Sequence, residues 1–130
     1  MDYKTITSYE AACADQGKDP NALPDYSKCD LTPGEEDFNL SAFMLSRILV
    51  SVNKDEDGNV WEPKADDLRY YLWFWWKDGR SGSRLSLDGV GYDDSVSNVA
   101  SRLTCRDNNR ARFVFDQFKS LWERMIIYKK

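Results

Sequence analysis

The sequence predicts an α+β fold in which a small antiparallel sheet of about three strands packs against two to three helices. Three observations support this prediction. Apolar residues recur at helical spacing in the second quarter of the chain and again near its end, each time after a helix-capping residue. Between these stretches lies a ring-rich segment with the alternation of a strand. A length of 130 residues fits one domain, so we expect residues 1–130 to fold as a single unit.

Two helices are predicted in the first half of the chain. Thr7 and Glu10 have the spacing of a capping box, and Gly17 is the expected stop of a short helix. Thr32 and Glu35 repeat the capping-box pattern, with proline at the first helical position. Apolar residues three to four positions apart follow, and they predict a helix that is buried on much of its circumference. These residues are Phe38, Ala42, Leu45, Leu49 and Val52.

The second half predicts strands and one further helix. Residues 68–76 and 84–88 have strand character, and a short third strand is expected at 101–105. A final helix should begin at Asp107 or Asn108 and run to about Ile127. Its apolar stripe predicts three aromatic side chains buried against the sheet: Phe115, Phe118 and Trp122.

Several short phrases carry a resemblance to known proteins. They are Ser8-Tyr9-Glu10-Ala11-Ala12-Cys13, Trp61-Glu62-Pro63, Tyr70-Tyr71-Leu72-Trp73-Phe74 and Ser101-Arg102-Leu103. With the order of the predicted elements, they resemble a family of short proteins from gut Bacteroidetes and from their phages and prophages. Members of that family often have proline where this chain has Leu72. The family has no established activity, so the resemblance implies the context of a mobile element and assigns no catalytic or binding residue.

Composition bears on the class of function. The chain has no histidine, which removes the commonest general base and metal ligand, and its three cysteines lack zinc-site spacing. No glycine-rich phosphate-binding loop is present. We therefore expect a protein that is not an enzyme and that has no cofactor. One alternative, an enzyme that uses carboxylates alone, rests on two adjacent pairs of acids: Asp66 with Asp67, and Asp93 with Asp94.

Residues 53–60 have the pattern of the first half of an EF-hand loop, with oxygen side chains at positions 1, 3 and 5 and glycine at position 6. Position 12, where the bidentate glutamate of a calcium loop should stand, is Lys64. A calcium ion would lose its main anchor and meet a positive charge. We predict a plain acidic turn here and no metal site in the chain.

The aromatic segment supplies the candidate binding residues. In a strand, Tyr70 and every second residue after it face one way, and the intervening rings face the other. The second set is either covered by the chain, as part of a tryptophan-rich core, or presented to a ligand. If it is presented, rings of this kind stack on nucleic-acid bases, and arginines on neighbouring strands contact phosphate. The candidate residues are Tyr71, Trp73, Trp75, Arg84 and Arg102.

The favoured hypothesis is a non-enzymatic interaction protein of a phage or mobile element that binds a protein partner. The alternative is a single-stranded nucleic-acid binder that uses the aromatic strand, which the net charge of −4 disfavours. No apolar run approaches the ~20 residues of a membrane span. The first residues lack the apolar core of a signal peptide, and the odd cysteine count is a poor disulfide framework. We therefore expect a cytoplasmic protein without membrane contact.

Overall fold

A computed structural model describes residues 2–64, 67–76, 85–93 and 103–127, with the backbone alone for 73–76, 85–89 and 91–93. Over this part of the chain, four α-helices surround the core and two strands pair in one antiparallel hairpin. The prediction of an α+β fold with a sheet of about three strands is therefore wrong. The architecture is mostly helical.

The elements follow in a simple order along the chain. A 3₁₀ turn at Tyr3–Thr5 precedes two helices, α1 and α2, and the hairpin of β1 and β2 is followed by two more helices, α3 and α4. Their bounds are α1 Tyr9–Gln16, α2 Pro33–Val52, β1 Arg69–Trp76, β2 Leu85–Asp93, α3 Asn108–Gln117 and α4 Lys119–Ile126.

The predicted third strand is reduced to a single backbone bridge in residues 103–105, the part of it that the structure describes. The amide of Cys105 donates to the carbonyl of Tyr70 at 2.8 Å, and the amide of Tyr70 donates to the carbonyl of Cys105 at 2.9 Å. Two residues later, Asp107 caps α3 by accepting from the amide of Arg110 at 2.7 Å. Leu103 lies in a 3₁₀ turn, so pairing with β1 is confined to Cys105 among residues 103–105.

The hairpin contains one irregularity. β1 and β2 pair with Tyr70 opposite Tyr92 and Leu72 opposite Val90, and the register shifts between Trp73 and the next residue of β1. The shift is a β-bulge, which bends a strand and strengthens its twist. The side chains packed against the core from this hairpin include Tyr70, Leu72 and Val90, so one face of the paired strands covers the helices.

Local capping signals place the first two helices. Thr32 accepts from the amide of Glu35 at 3.2 Å, while Glu35 accepts from the amide of Thr32 at 2.9 Å, which confirms this capping box. The first box is wrong by one residue, since Ser8 is the N-cap of α1 and accepts from the amide of Ala11 at 3.0 Å. Gly17 ends α1 with a positive φ of 66°, as predicted.

The predicted final helix is divided in two at Phe118. This residue leaves the helical region, with φ −121° and ψ 31°. The carbonyl of Val114 accepts from the Phe118 amide at 3.1 Å and from the indole N–H of Trp122 at 3.3 Å, so the Trp122 ring bridges the break. α3 contacts both strands and α2, whereas α4 packs along α2. The break lets the two halves of the aromatic stripe face different parts of the core.

A single core cluster lies between the helices and the hairpin. The predicted burial of the three aromatic residues is confirmed, because Phe115, Phe118 and Trp122 are 5%, 6% and 3% exposed. Phe38 was expected on the buried stripe of α2 and is 51% exposed instead. The cluster also contains Ile6, Tyr9 and aliphatic residues of three helices: Leu45, Ile48, Leu49, Val52, Val114 and Leu121.

Candidate functional site

A pocket of about 410 Å³ lies between the C-terminal half of α2 and the extended segment 60–63. This volume is in the range of pockets that hold small ligands or single large side chains. Most of the lining is apolar, and four of its side chains bear a hydroxyl, amide or carboxylate group. The lining residues are Ser46, Leu49, Val50, Asn53, Val60, Trp61, Glu62, Pro63 and Thr104.

Asn53 fixes the floor of the pocket. Its side chain is buried, donates to the carbonyl of Thr104 at 2.9 Å and accepts from the amide of Arg106 at 3.0 Å. The guanidinium of Arg106 in turn donates to the main-chain carbonyl of Asn53 at 3.0 Å. A buried amide with both ends bonded holds its neighbours in one arrangement. The sequence had placed Asn53 in a polar turn, and this role depends on residues more than fifty positions away.

The end of α2 is further held by Arg110 from α3. Its guanidinium donates to the carbonyl of Val52 at 2.8 Å and to the carbonyl of Lys54 at 3.2 Å, and it also pairs with Asp107. Cations satisfy the last carbonyls of a helix and favour the negative end of its dipole. The C-terminus of α2 is thus a rigid wall for the pocket.

The acidic turn connects the end of α2 to the segment that forms the opposite wall of the pocket. The Asp55 carboxylate accepts from the amides of Asp57 and Asn59, each at 2.9 Å, and Gly58 takes a φ of 83°. These hydrogen bonds lower the pKa of Asp55 below its usual value. The turn is a local structure closed by its own amides. The prediction that it holds no calcium stays a prediction.

Exposed apolar side chains line this pocket. Val50 and Val60 are 39% and 54% exposed. Phe38 is 51% exposed near the other end of α2, where it is twelve residues from Val50 and about 120° around the helix from it. We define the α2 surface as the lining of the pocket. The sequence pattern predicted Phe38 in the core. An apolar stripe does not show how much of a helix is covered by the rest of the fold.

The α2 surface has one carboxylate in its lining. Glu62 is exposed there, and Lys64 is exposed two residues later. Asp57 is exposed in the turn that follows α2. The first 64 residues as a whole contain thirteen Asp and Glu against six Lys and Arg.

Three of the five residues predicted as binding candidates lie in β1, and the other two are outside the described residues. Tyr71 is half-buried in β1 and pairs with Gly91, while Trp73 pairs with Gly89 and Trp75 with Ser86. The side chains of Trp73 and Trp75 are outside the described part of the structure. Arg84 and Arg102 also fall outside the described residues, as do Asp66 and Asp94 of the acidic pairs. The aromatic strand as a binding site therefore stays a prediction.

Two of the cysteines are fully enclosed. Cys13 and Cys105 are buried, and Cys29 is exposed. Burial, reinforced by the negative charge of Asp107, raises the pKa of Cys105 to about 12, so its thiol stays protonated at neutral pH. Cys105 packs in the core next to the floor of the pocket and offers no thiolate there.

A group of polar contacts, which we call the polar seam, joins α1 to α2 and the residues just after it. Lys54 contacts the Asp15 carboxylate at 2.8 Å, and the hydroxyl of Ser51 donates to the same carboxylate at 2.7 Å. Gln16 donates to the carbonyl of Arg47 at 2.7 Å. Burial alone would raise the pKa of Asp15, but the hydrogen bonds from Lys54 and Ser51 and the charge of Lys54 lower it. The side chains of Asp15, Gln16, Ser51 and Lys54 all bond to groups within this seam. We therefore assign the seam a structural role.

Comparison with protein-family models, with curated proteins and with solved structures gives no match to this chain. Among the described residues, no helix is both long and apolar enough to cross a membrane. The α2 surface is therefore the feature of the described residues on which a functional proposal can be based.

Proposed function

We propose that this chain is a non-enzymatic interaction protein that binds a protein partner through the α2 surface. The observation that carries the proposal is the exposure of two apolar side chains, Val50 and Val60, in the lining of a pocket of about 410 Å³. Single exposed apolar residues are ordinary, whereas a contiguous apolar patch beside a pocket is typical of an interaction site. The proposal includes a cytoplasmic location and the context of a phage or mobile element, in keeping with the sequence resemblance.

The size and lining of the pocket suit one or two large apolar side chains of a protein partner. Val50, Val60, Trp61 and Pro63 supply apolar contacts for such side chains. The floor is preorganised by Asn53 and Arg110, which reduces the ordering cost of binding.

The chemistry of the lining favours binding over catalysis. The Ser46 hydroxyl donates to the carbonyl of Phe43 at 2.8 Å, and both ends of the Asn53 amide are bonded. Glu62 is the one carboxylate in the lining, and acid–base chemistry by carboxylates alone uses a pair. Asp67, from the acidic pairs considered above, accepts from the amide of Lys64 at 2.8 Å as part of a turn.

The proposal is tested by affinity capture with matched variants. Val50→Asn introduces an amide on the α2 surface, where Val50 is 39% exposed, and Leu23→Asn makes a comparable change at a residue that is 42% exposed and outside the pocket lining. Immobilised wild type and both variants are incubated with a Bacteroidetes lysate, with and without nuclease. We expect one protein to be retained by the wild type and by Leu23→Asn and lost by Val50→Asn, in both arms.

The other outcomes decide against the proposal. Equal capture by all three forms would show that binding occurs away from the α2 surface. Capture that disappears after nuclease treatment would favour the alternative function, a single-stranded nucleic-acid binder. Circular dichroism of each variant checks that a loss of capture is not a loss of fold.

A further inference from the structure

We draw no further inference here: the strongest candidate, the pocket between the C-terminal half of α2 and the segment 60–63, belongs to the site already proposed for a protein partner, and nothing in the structure shows the chemistry of what covers it.

Discussion

At the residue scale, Phe38 and Phe118 show how differently two rings of similar sequence context are placed. Both belong to apolar stripes with helical spacing, yet Phe118 is 6% exposed and Phe38 is 51% exposed. Phe118 lies at the break between α3 and α4, where its backbone leaves the helical region. Phe38 lies near the first turns of α2, so the same apolar spacing leads to burial at one position and exposure at the other.

Phe118→Ala should destabilise the protein by about 3–5 kcal/mol, because removing a buried ring leaves a cavity in a close-packed core. Phe38→Ala is the matched control, and its cost should stay below about 1 kcal/mol because the ring is half-exposed. Urea unfolding followed by circular dichroism measures both changes. Equal losses for the two variants would contradict the different placement of the rings.

Asp15→Asn should reduce stability at neutral pH and make it less sensitive to acid. The carboxylate has a lowered pKa in the folded state, so it contributes stability above its unfolded pKa of about 3.9 and loses that contribution as pH falls through the folded pKa. Unfolding free energies of wild type and variant are compared between pH 7 and pH 3. We expect the gap between them to be largest near neutrality and to close below about pH 4.

A gap that is constant over this range would mean that the Asp15 charge makes no difference to stability. Ser51→Ala provides a second measurement, because it removes a hydrogen bond to Asp15 and leaves the Lys54 ion pair in place. Its effect on the acid transition should have the same sign and be smaller.

At the element scale, local signals predicted α2 with its bounds. The capping box at Thr32, the proline after it and the polar turn after Val52 act within a few residues of each end, so they are visible in the sequence. The division of the last helix at Phe118 was not predictable in this way. It depends on the Trp122 indole bonding to the carbonyl of Val114 and on α4 packing along α2.

The prediction of the third strand is limited for a related reason. Residues 101–105 have strand composition, yet Leu103 lies in a 3₁₀ turn and only Cys105 of residues 103–105 pairs with Tyr70. Strand preference depends on neighbours supplied by the whole fold, and those neighbours are not visible in the sequence.

The N-cap of α1 gives a test at this scale. Ser8→Ala should cost about 1 kcal/mol, because the amide of Ala11 loses the side-chain oxygen that satisfies it. Thr7→Ala should have little effect. Gln117 donates to the main-chain carbonyl of Thr7, and the substitution leaves that carbonyl in place. Thermal unfolding of the two variants separates them, and the reverse order would restore the capping box predicted from the sequence at Thr7.

At the scale of the whole molecule, the pocket joins parts of the chain that no local pattern connects. Its lining comes from residues 46–53, from 60–63 and from Thr104, brought together by the buried amide of Asn53. Sequence reasoning therefore chose the aromatic strand as the candidate site, since ring density is visible without a fold. The acidic turn and the end of α2 were visible too, but their relation to Thr104 was not.

Charge is also uneven over the whole molecule. The first 64 residues, which include α1, α2 and most of the pocket lining, have thirteen acidic and six basic side chains. The remaining 66 residues have nine acidic and twelve basic side chains. The acidic excess of the chain therefore lies in its first half, which disfavours polyanions as partners of that half.

The final prediction concerns nucleic acid. Binding a phosphate backbone requires several clustered cations, and the net charge of −4 opposes it. A labelled single-stranded DNA of ~20 nucleotides should therefore show no micromolar binding in fluorescence anisotropy at about 0.15 M salt. Trp73→Ala tests the aromatic strand, and Trp61→Ala in the pocket is the matched control. Micromolar binding that weakens with salt, is lost in Trp73→Ala and persists in Trp61→Ala would replace the protein partner with nucleic acid as the ligand of this chain.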